Sequence, residues 1–188
     1  IQLTINAQFQ NDVQNIMKSS LQSVAGGNPY VPGAYAVVMN PHTGAVYALA
    51  GVSRDIQTGK ITDNAIGAIN QTFVMGSVVK GAMVMGALQD GVITPTNNTL
   101  EEQPIKLAGT APKTSWFNKS GSANMPLTAP EALEVSSNTY MMQLAMLEAG
   151  LKYTPGMSLA SMSPSIFTKM RDNFNQFGLG IKTGIDLP

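Results

Sequence analysis

The sequence predicts a chain of the mixed α/β class, in its α+β form, on three observations. Apolar residues recur at helical spacing over residues 4–24. Two short apolar runs, 34–39 and 45–52, flank a turn and read as a β-hairpin. The second half carries several helical segments joined by loops, with few candidate strands.

The first helix rests on Phe9, Val13, Ile16, Met17, Leu21 and Val24. Asn6 is a plausible N-cap, and Gly26-Gly27 is expected to end the helix. The hairpin turn is Asn40-Pro41-His42-Thr43-Gly44. Both hairpin runs are apolar on both faces, as strands covered on each side are. Two strands alone are marginal, so partner strands are required. Residues 53–72 read as polar and irregular.

A helix is predicted from about Ser77 to Gln89, apolar all round and therefore expected to be buried on every side. Gly81 and Gly86 within it suggest close approach of another backbone. Residues 92–127 read as loop, with short extended pieces such as 104–107. Thr128-Ala129-Pro130-Glu131 is a capping box with proline early in the helix. Ser136-Ser137-Asn138 interrupts that helix, and a second one continues to Gly150. A last helix is expected over 167–177, followed by a glycine-punctuated loop to Pro188.

Composition narrows the chemistry. Apolar residues make up 44% of the 188 and charged residues 12%, against about 25% charged in an ordinary soluble domain. Eleven basic and eleven acidic residues leave zero formal charge, so the basic field that nucleic-acid binding needs is missing. No apolar run reaches the roughly 20 residues of a membrane helix. There is no cysteine and one histidine, His42, in a turn. A Ser-His-Asp triad would have to use His42, and a zinc site with several His or Cys ligands is excluded. A base that activates a nucleophile here is a carboxylate or a lysine.

Lys80 is the only charge between Ile66 and Gln89. Burial disfavours its ammonium form and lowers its pKa toward the range where lysine acts as a base. Ser77 lies three residues earlier, on the same helical face. It stands at the predicted helix start, where free backbone N–H groups favour negative charge. The same letters also fit a Ser77 helix cap and a Lys80 that snorkels to the surface. Ser136 and Asn138 place a hydroxyl and a carboxamide two residues apart, suited to relaying a proton and holding an amide. Taken alone, that pair also fits a helix break.

Together these residues resemble a known family. Met75-Gly76-Ser77-Val78-Val79-Lys80, followed 59 positions after Ser77 by Ser136-Ser137-Asn138, resembles the transpeptidase domain of class B penicillin-binding proteins. The 2B-like branch of Gram-positive bacteria is the best fit. Leu3-Thr4-Ile5, the stretch Val37 to Ala48, and the end from Phe177-Gly178-Leu179-Gly180 to Gly184-Ile185-Asp186-Leu187-Pro188 agree with it in order. The resemblance implies a serine β-lactamase/transpeptidase-like fold: a helical bundle against an antiparallel sheet, of which only the first hairpin is expected in this chain. It implies a D,D-transpeptidase in which Ser77 is the nucleophile, Lys80 its base, Ser136 a proton relay and Asn138 a substrate-binding residue. The backbone N–H of Ser77 would form half of an oxyanion hole.

The implied partners are peptidoglycan stem peptides, β-lactam antibiotics, the remainder of the same domain and other cell-wall synthesis or division proteins. No cofactor or metal is implied, and no nucleic acid. The implied location is the extracytoplasmic face of the bacterial membrane, with an anchor outside this chain. Other readings are a non-catalytic penicillin-binding sensor or structural division module, a D,D-carboxypeptidase, or a serine β-lactamase. Lys182-Thr183-Gly184 spells the family's third motif, but it lies only 44 residues after Asn138 with no strand pattern around it. It is taken as a look-alike. Residues 1–188 are therefore expected to be the N-terminal part of one transpeptidase domain, incomplete at the C-terminus.

Overall fold

Asn6 caps the first helix as its sequence predicts: its side chain accepts a hydrogen bond from the Phe9 N–H. This is seen in a computed structural model that describes residues 2–182 and 184. The chain divides into two units, Ile1–Val74 and Met75–Pro188.

In the first unit, helix α1 (Ala7–Gly27) begins three residues later than its apolar pattern, because Asn6 is the cap. Strands β1 (Gly33–Met39) and β2 (Val46–Arg54) pair antiparallel, with Ala36 opposite Ala50. Their turn is closed by Asn40, whose Oδ1 accepts from the His42 and Thr43 N–H groups. His42 is exposed in it. A third strand, β3 (Ile61–Asp63), extends the hairpin by pairing with β2. The sheet order is β1-β2-β3. The chain therefore holds more of the sheet than the expected hairpin. Three residues are too few to show a strand period, and Ile61-Thr62-Asp63 is polar at its end.

Val13 and Met17 of α1 pack on Ala36, Val38, Ala48 and Ala50. This is one face of the hairpin. On the other, a short helix α2 (Gly67–Asn70) sits against Tyr35, while Val37 and Met39 are exposed. The expectation that both faces are covered along their length is not met within this unit.

Helix α1 also hydrogen-bonds the outer edge of β2 where β3 does not reach. The Gln10 amide donates to the Leu49 carbonyl and accepts the Leu49 N–H, both at 2.8 Å. Gln14 does the same for Gly51, at 2.8 and 3.1 Å. The match is geometric: four helical residues rise about 6 Å, and two strand residues about 6.8 Å.

The second unit opens at Met75, and the next residue, Gly76, has a φ of +58°, a left-handed conformation that glycine adopts without cost. A 3₁₀ turn, Gly76–Val79, leads directly into helix α3 (Lys80–Gln89). The predicted helix is thus present, but its first turn is wound more tightly. It is not buried on every side: Val78 and Met85 are 74% and 50% exposed. Gly86 does mark a close approach, since a Cβ there would lie 2.7 Å from the Asn173 Nδ2. Gly81 faces open space, contrary to the reading of it as a packing glycine.

Beyond α3, strands β4 (Leu100–Glu102) and β5 (Met125–Leu127) form a two-stranded sheet within the stretch read as loop. Residues 104–107 contribute only isolated bridges. Helices α4 (Ala129–Glu134), α5 (Asn138–Glu148) and α6 (Ser165–Asn175) follow. The Glu131 carboxylate accepts from the Thr128 N–H and hydroxyl, fixing the start of α4. The core collects Val84, Ala87, Ile93, Leu127, Tyr140 and Leu144. Full burial of a side chain such as Leu144 contributes roughly 1.5–3 kcal/mol. Lys169 of α6 bridges Glu148 of α5 at 2.6 Å and Asp90 after α3 at 3.3 Å. Thr183 and Ile185–Pro188 lie outside the described residues, so the Lys182-Thr183-Gly184 reading falls partly outside them.

Candidate active site

Three of the four residues singled out from the sequence meet at one point. The Lys80 Nζ donates to the Ser136 carbonyl at 2.7 Å, the Ser136 Oγ at 2.9 Å and the Asn138 Oδ1 at 2.7 Å. A lysine ammonium has three protons, and all three are used. Ser77 joins them as a wall of the same cleft, about 500 Å³ in volume, which is also lined by Met83, Lys113, Thr114 and Met141. Ser77 is exposed in the 3₁₀ turn, whereas Lys80 is 8% exposed.

Each position has a local cause. Lys80 opens α3 immediately after the 3₁₀ turn, so Ser77 and Lys80 are one turn apart and face the same cleft. Ser136 and Asn138 flank the break between α4 and α5. Ser136 has a φ of +54°, unique among the described non-glycine residues. Such a conformation costs of order 1–3 kcal/mol and persists only where surrounding contacts hold it. Here the Ser136 N–H bonds the Leu133 carbonyl, and the Ser137 N–H bonds the Ala132 carbonyl. The turn aims both the carbonyl and the hydroxyl of Ser136 at Lys80.

Ser137 caps α5 through its Oγ, which accepts from the Tyr140 N–H at 2.9 Å. Tyr140 is fully buried, and its hydroxyl donates to the Asn98 carbonyl. Burial pushes that hydroxyl up to about 12, so it stays protonated as a donor. The Asn138 amide is held at both ends: its Oδ1 on Lys80 and its Nδ2 near the Thr114 carbonyl at 3.4 Å.

Behind the turn lies a group that the sequence reading missed. Glu102, at the end of β4, is fully buried. Its Oε2 accepts from the Thr139 hydroxyl at 2.6 Å, the Ser115 hydroxyl at 3.0 Å and the Ser137 hydroxyl. Its Oε1 accepts from the Asn118 Nδ2 at 3.4 Å. The available signal was a carboxylate next to a short extended run, and nothing local tied it to Ser136.

Electrostatics follow from these contacts. Burial holds the Lys80 ammonium below its ordinary value of 10.5, and the Glu102 carboxylate opposes that shift. Three acceptors and a nearby anion support the charged form; partial exclusion of water opposes it. No cluster of three or more His, Cys, Asp or Glu side chains that could hold a metal occurs among the described residues. The chemistry available is that of a hydroxyl, an amine and a carboxamide around one cleft.

Comparison with known proteins gives the family and the fold. The family described as the penicillin binding protein transpeptidase domain matches residues 34–188. Penicillin-binding protein 2B of Streptococcus pneumoniae is 42% identical over the whole chain. The peptidoglycan D,D-transpeptidase MrdA of Salmonella typhimurium is 25% identical, also over the whole chain. The chain spans 28% of the length of each of these relatives. A solved structure of penicillin-binding protein 2B from Streptococcus pneumoniae superimposes with a TM-score of 0.92 at 41% identity. That match covers all of this chain and 31% of the other. The fold is thus the penicillin-binding transpeptidase fold, and the chain belongs to the penicillin-binding protein transpeptidase family.

Proposed function

We propose that this chain supplies the nucleophile and its proton-transfer partners to a peptidoglycan D,D-transpeptidase of the serine acyl-transfer type. The observation that carries the reading is the Lys80 ammonium fixed on Ser136 and Asn138 in the cleft that Ser77 lines. The family match and the name of the MrdA relative support the reaction class.

In this reading the Ser77 Oγ attacks the carbonyl carbon of the penultimate D-alanine of a stem peptide, and its proton passes to Lys80. The tetrahedral intermediate collapses as the terminal D-alanine leaves with a proton. The amine of a second stem peptide then attacks the Ser77 ester and gives a proton to the same relay; the cross-link forms as the bond to the Ser77 Oγ breaks and that oxygen takes the proton back. β-Lactams acylate Ser77 in place of the stem peptide.

The donor inventory gives Ser136 its part. A neutral Lys80 has two protons and one lone pair. Of its three partners, the Ser136 carbonyl and the Asn138 Oδ1 only accept, while the Ser136 hydroxyl can also donate. Lys80 can therefore keep two bonds and turn its lone pair to a hydroxyl proton. Ser136 is the member of the set able to reverse its hydrogen bond, which a proton relay requires.

Asn138 orients substrate amides while its Oδ1 steadies Lys80. The strand with the third motif belongs to the rest of the transpeptidase domain, of which residues 1–188 form the N-terminal part. The enzyme works at the extracytoplasmic face of the membrane, with cell-wall synthesis proteins as partners. The test is labelling of the intact protein with a fluorescent penicillin. Stable label that disappears in Ser77→Ala supports the reading. Rapid loss of label makes the protein a β-lactamase, and absence of label makes it a non-catalytic module.

A further inference from the structure

We infer that Glu102 is a positioning residue for this site: through three hydroxyls it sets the turn that carries Ser136 and Asn138 onto Lys80. Its catalytic consequence rests on the transpeptidase reading above.

The argument is one of proton directions. A hydroxyl has one proton to give and two lone pairs. An ionised carboxylate only accepts, so Ser115, Ser137 and Thr139 each spend their proton on Glu102. Their lone pairs must then face elsewhere. The Ser137 Oγ takes the Tyr140 N–H at 2.9 Å, and the Ser115 Oγ takes the Asn138 and Thr139 N–H groups at 3.0 and 3.3 Å. Three of the free N–H groups at the start of α5 are thereby satisfied by oxygens whose orientation Glu102 dictates.

That anchoring bears directly on the site. Asn138 is held by its own backbone N–H on Ser115 and by its side chain on Lys80. Ser136, one residue before the Ser137 hydroxyl, is held in its left-handed conformation. Glu102, Ser115, Ser137 and Thr139 are all fully buried, so water cannot substitute for a lost partner without opening the core. The charged groups around Lys80 are Glu102 from β4 and Lys113 on the cleft wall; the 3₁₀ turn, the rest of α3 and the α4–α5 turn add none.

Glu102→Gln keeps the shape but loses the charge and one accepting oxygen. With its oxygen toward the hydroxyls, its N–H₂ group is set against the Asn118 Nδ2; with its oxygen toward Asn118, the hydroxyls must reverse and their lone pairs leave the start of α5. Glu102→Asp keeps the charge and draws it back by one methylene. Acylation by a fluorescent penicillin is to be followed across pH in the intact protein, with folding checked by circular dichroism. For Glu102→Gln, the plateau rate is expected to fall about tenfold or more, and the acid limb assigned to Lys80 to move to lower pH. For Glu102→Asp, a smaller fall is expected with the limb in place.

A Glu102→Gln variant that acylates at the wild-type rate with an unmoved limb overturns the proposal. So do two variants that lose rate in parallel with no change in the limb, because that is a merely structural effect. If Glu102→Gln does not fold, Glu102→Asp decides: a reduced plateau accompanied by broken Lys80 contacts to Ser136 and Asn138 in the ¹⁵N spectrum supports the proposal, and an unchanged plateau or unbroken contacts overturn it. If wild type takes no label at Ser77, the transpeptidase reading fails instead. Glu102 is then judged by the ¹⁵N titration of the Lys80 amine, which must move to lower pH in Glu102→Gln, or in Glu102→Asp stay where it is with broken Ser136 and Asn138 contacts; a Lys80 resonance indifferent to both variants overturns it.

Discussion

Replacing Lys80 with alanine separates chemistry from stability. Lys80 makes three hydrogen bonds of 2.7–2.9 Å, all charge-assisted. Their gross loss is offset twice: an ammonium partly withdrawn from water no longer has to be kept there, and the open cleft lets water reach the Ser136 carbonyl and the Asn138 Oδ1. The net destabilisation is expected to be about 1–3 kcal/mol. For a chain of this size that lowers Tm by roughly 2–10 °C. The catalytic loss is larger, since a positioned general base contributes about 10²–10⁴ in rate. The assay is single-turnover acylation by a fluorescent penicillin beside a thermal melt. A Lys80→Ala protein that acylates within about tenfold of wild type would remove Lys80 as the base. One that is unfolded at 25 °C would show that Lys80 holds the fold together and that the two effects cannot be parted. Stability against pH adds a third reading. The folded Lys80 titrates below 10.5. Between its folded value and 10.5 the unfolded chain binds more protons, so wild-type stability rises with pH in that window. Lys80→Ala should lack that rise.

Two ion pairs should behave differently when cut. Lys169→Met strands Glu148, whose side chain is 6% exposed, and should cost roughly 2–4 kcal/mol in urea denaturation. Lys18→Met breaks an exposed pair with Asp63 and should leave the urea midpoint nearly unchanged, the more so in high salt. Burial raises the Glu148 carboxyl, partly offset by Lys169, so Glu148→Gln should be tolerated better than Lys169→Met; equal losses would contradict this. Gly86→Ala places a Cβ 2.7 Å from the Asn173 Nδ2 and should cost about 1–3 kcal/mol through separation of α3 from α6. An unchanged denaturation midpoint would mean that this contact is slack.

What was legible in the sequence was local. The Asn6 cap, the Asn40 turn and the Thr128–Glu131 box are each written within four residues, and each appears where expected. Lys80 announced itself as one charge in an apolar helix, and the structure brings it to Ser136 and Asn138, 56 and 58 residues away. The even apolarity of that helix misled in turn. Val78 and Met85 are apolar yet exposed, and periodicity cannot say which sides of such a helix find partners. Glu102 was illegible for the opposite reason. Its contacts lie 13 to 37 residues away, and a carboxylate beside a short strand looks like any surface residue until three hydroxyls close on it. Strand β3 is too short to carry a period.

The glutamines of α1 have a consequence for how the sheet can grow. A strand edge with free N–H and C=O groups is a template for any other strand, including one from another molecule. Along β2 that edge is already occupied: Tyr47 by the Asn6 N–H, Leu49 by Gln10, Gly51 by Gln14, and the remainder by β3. Two side-chain amides thus serve as a blunt end, refusing further strands without burying a covering segment. Among the described residues the opposite edge, along β1, pairs with no strand. The hairpin is polarised: extension, whether by the same protein or by unwanted association, is directed to the β1 side.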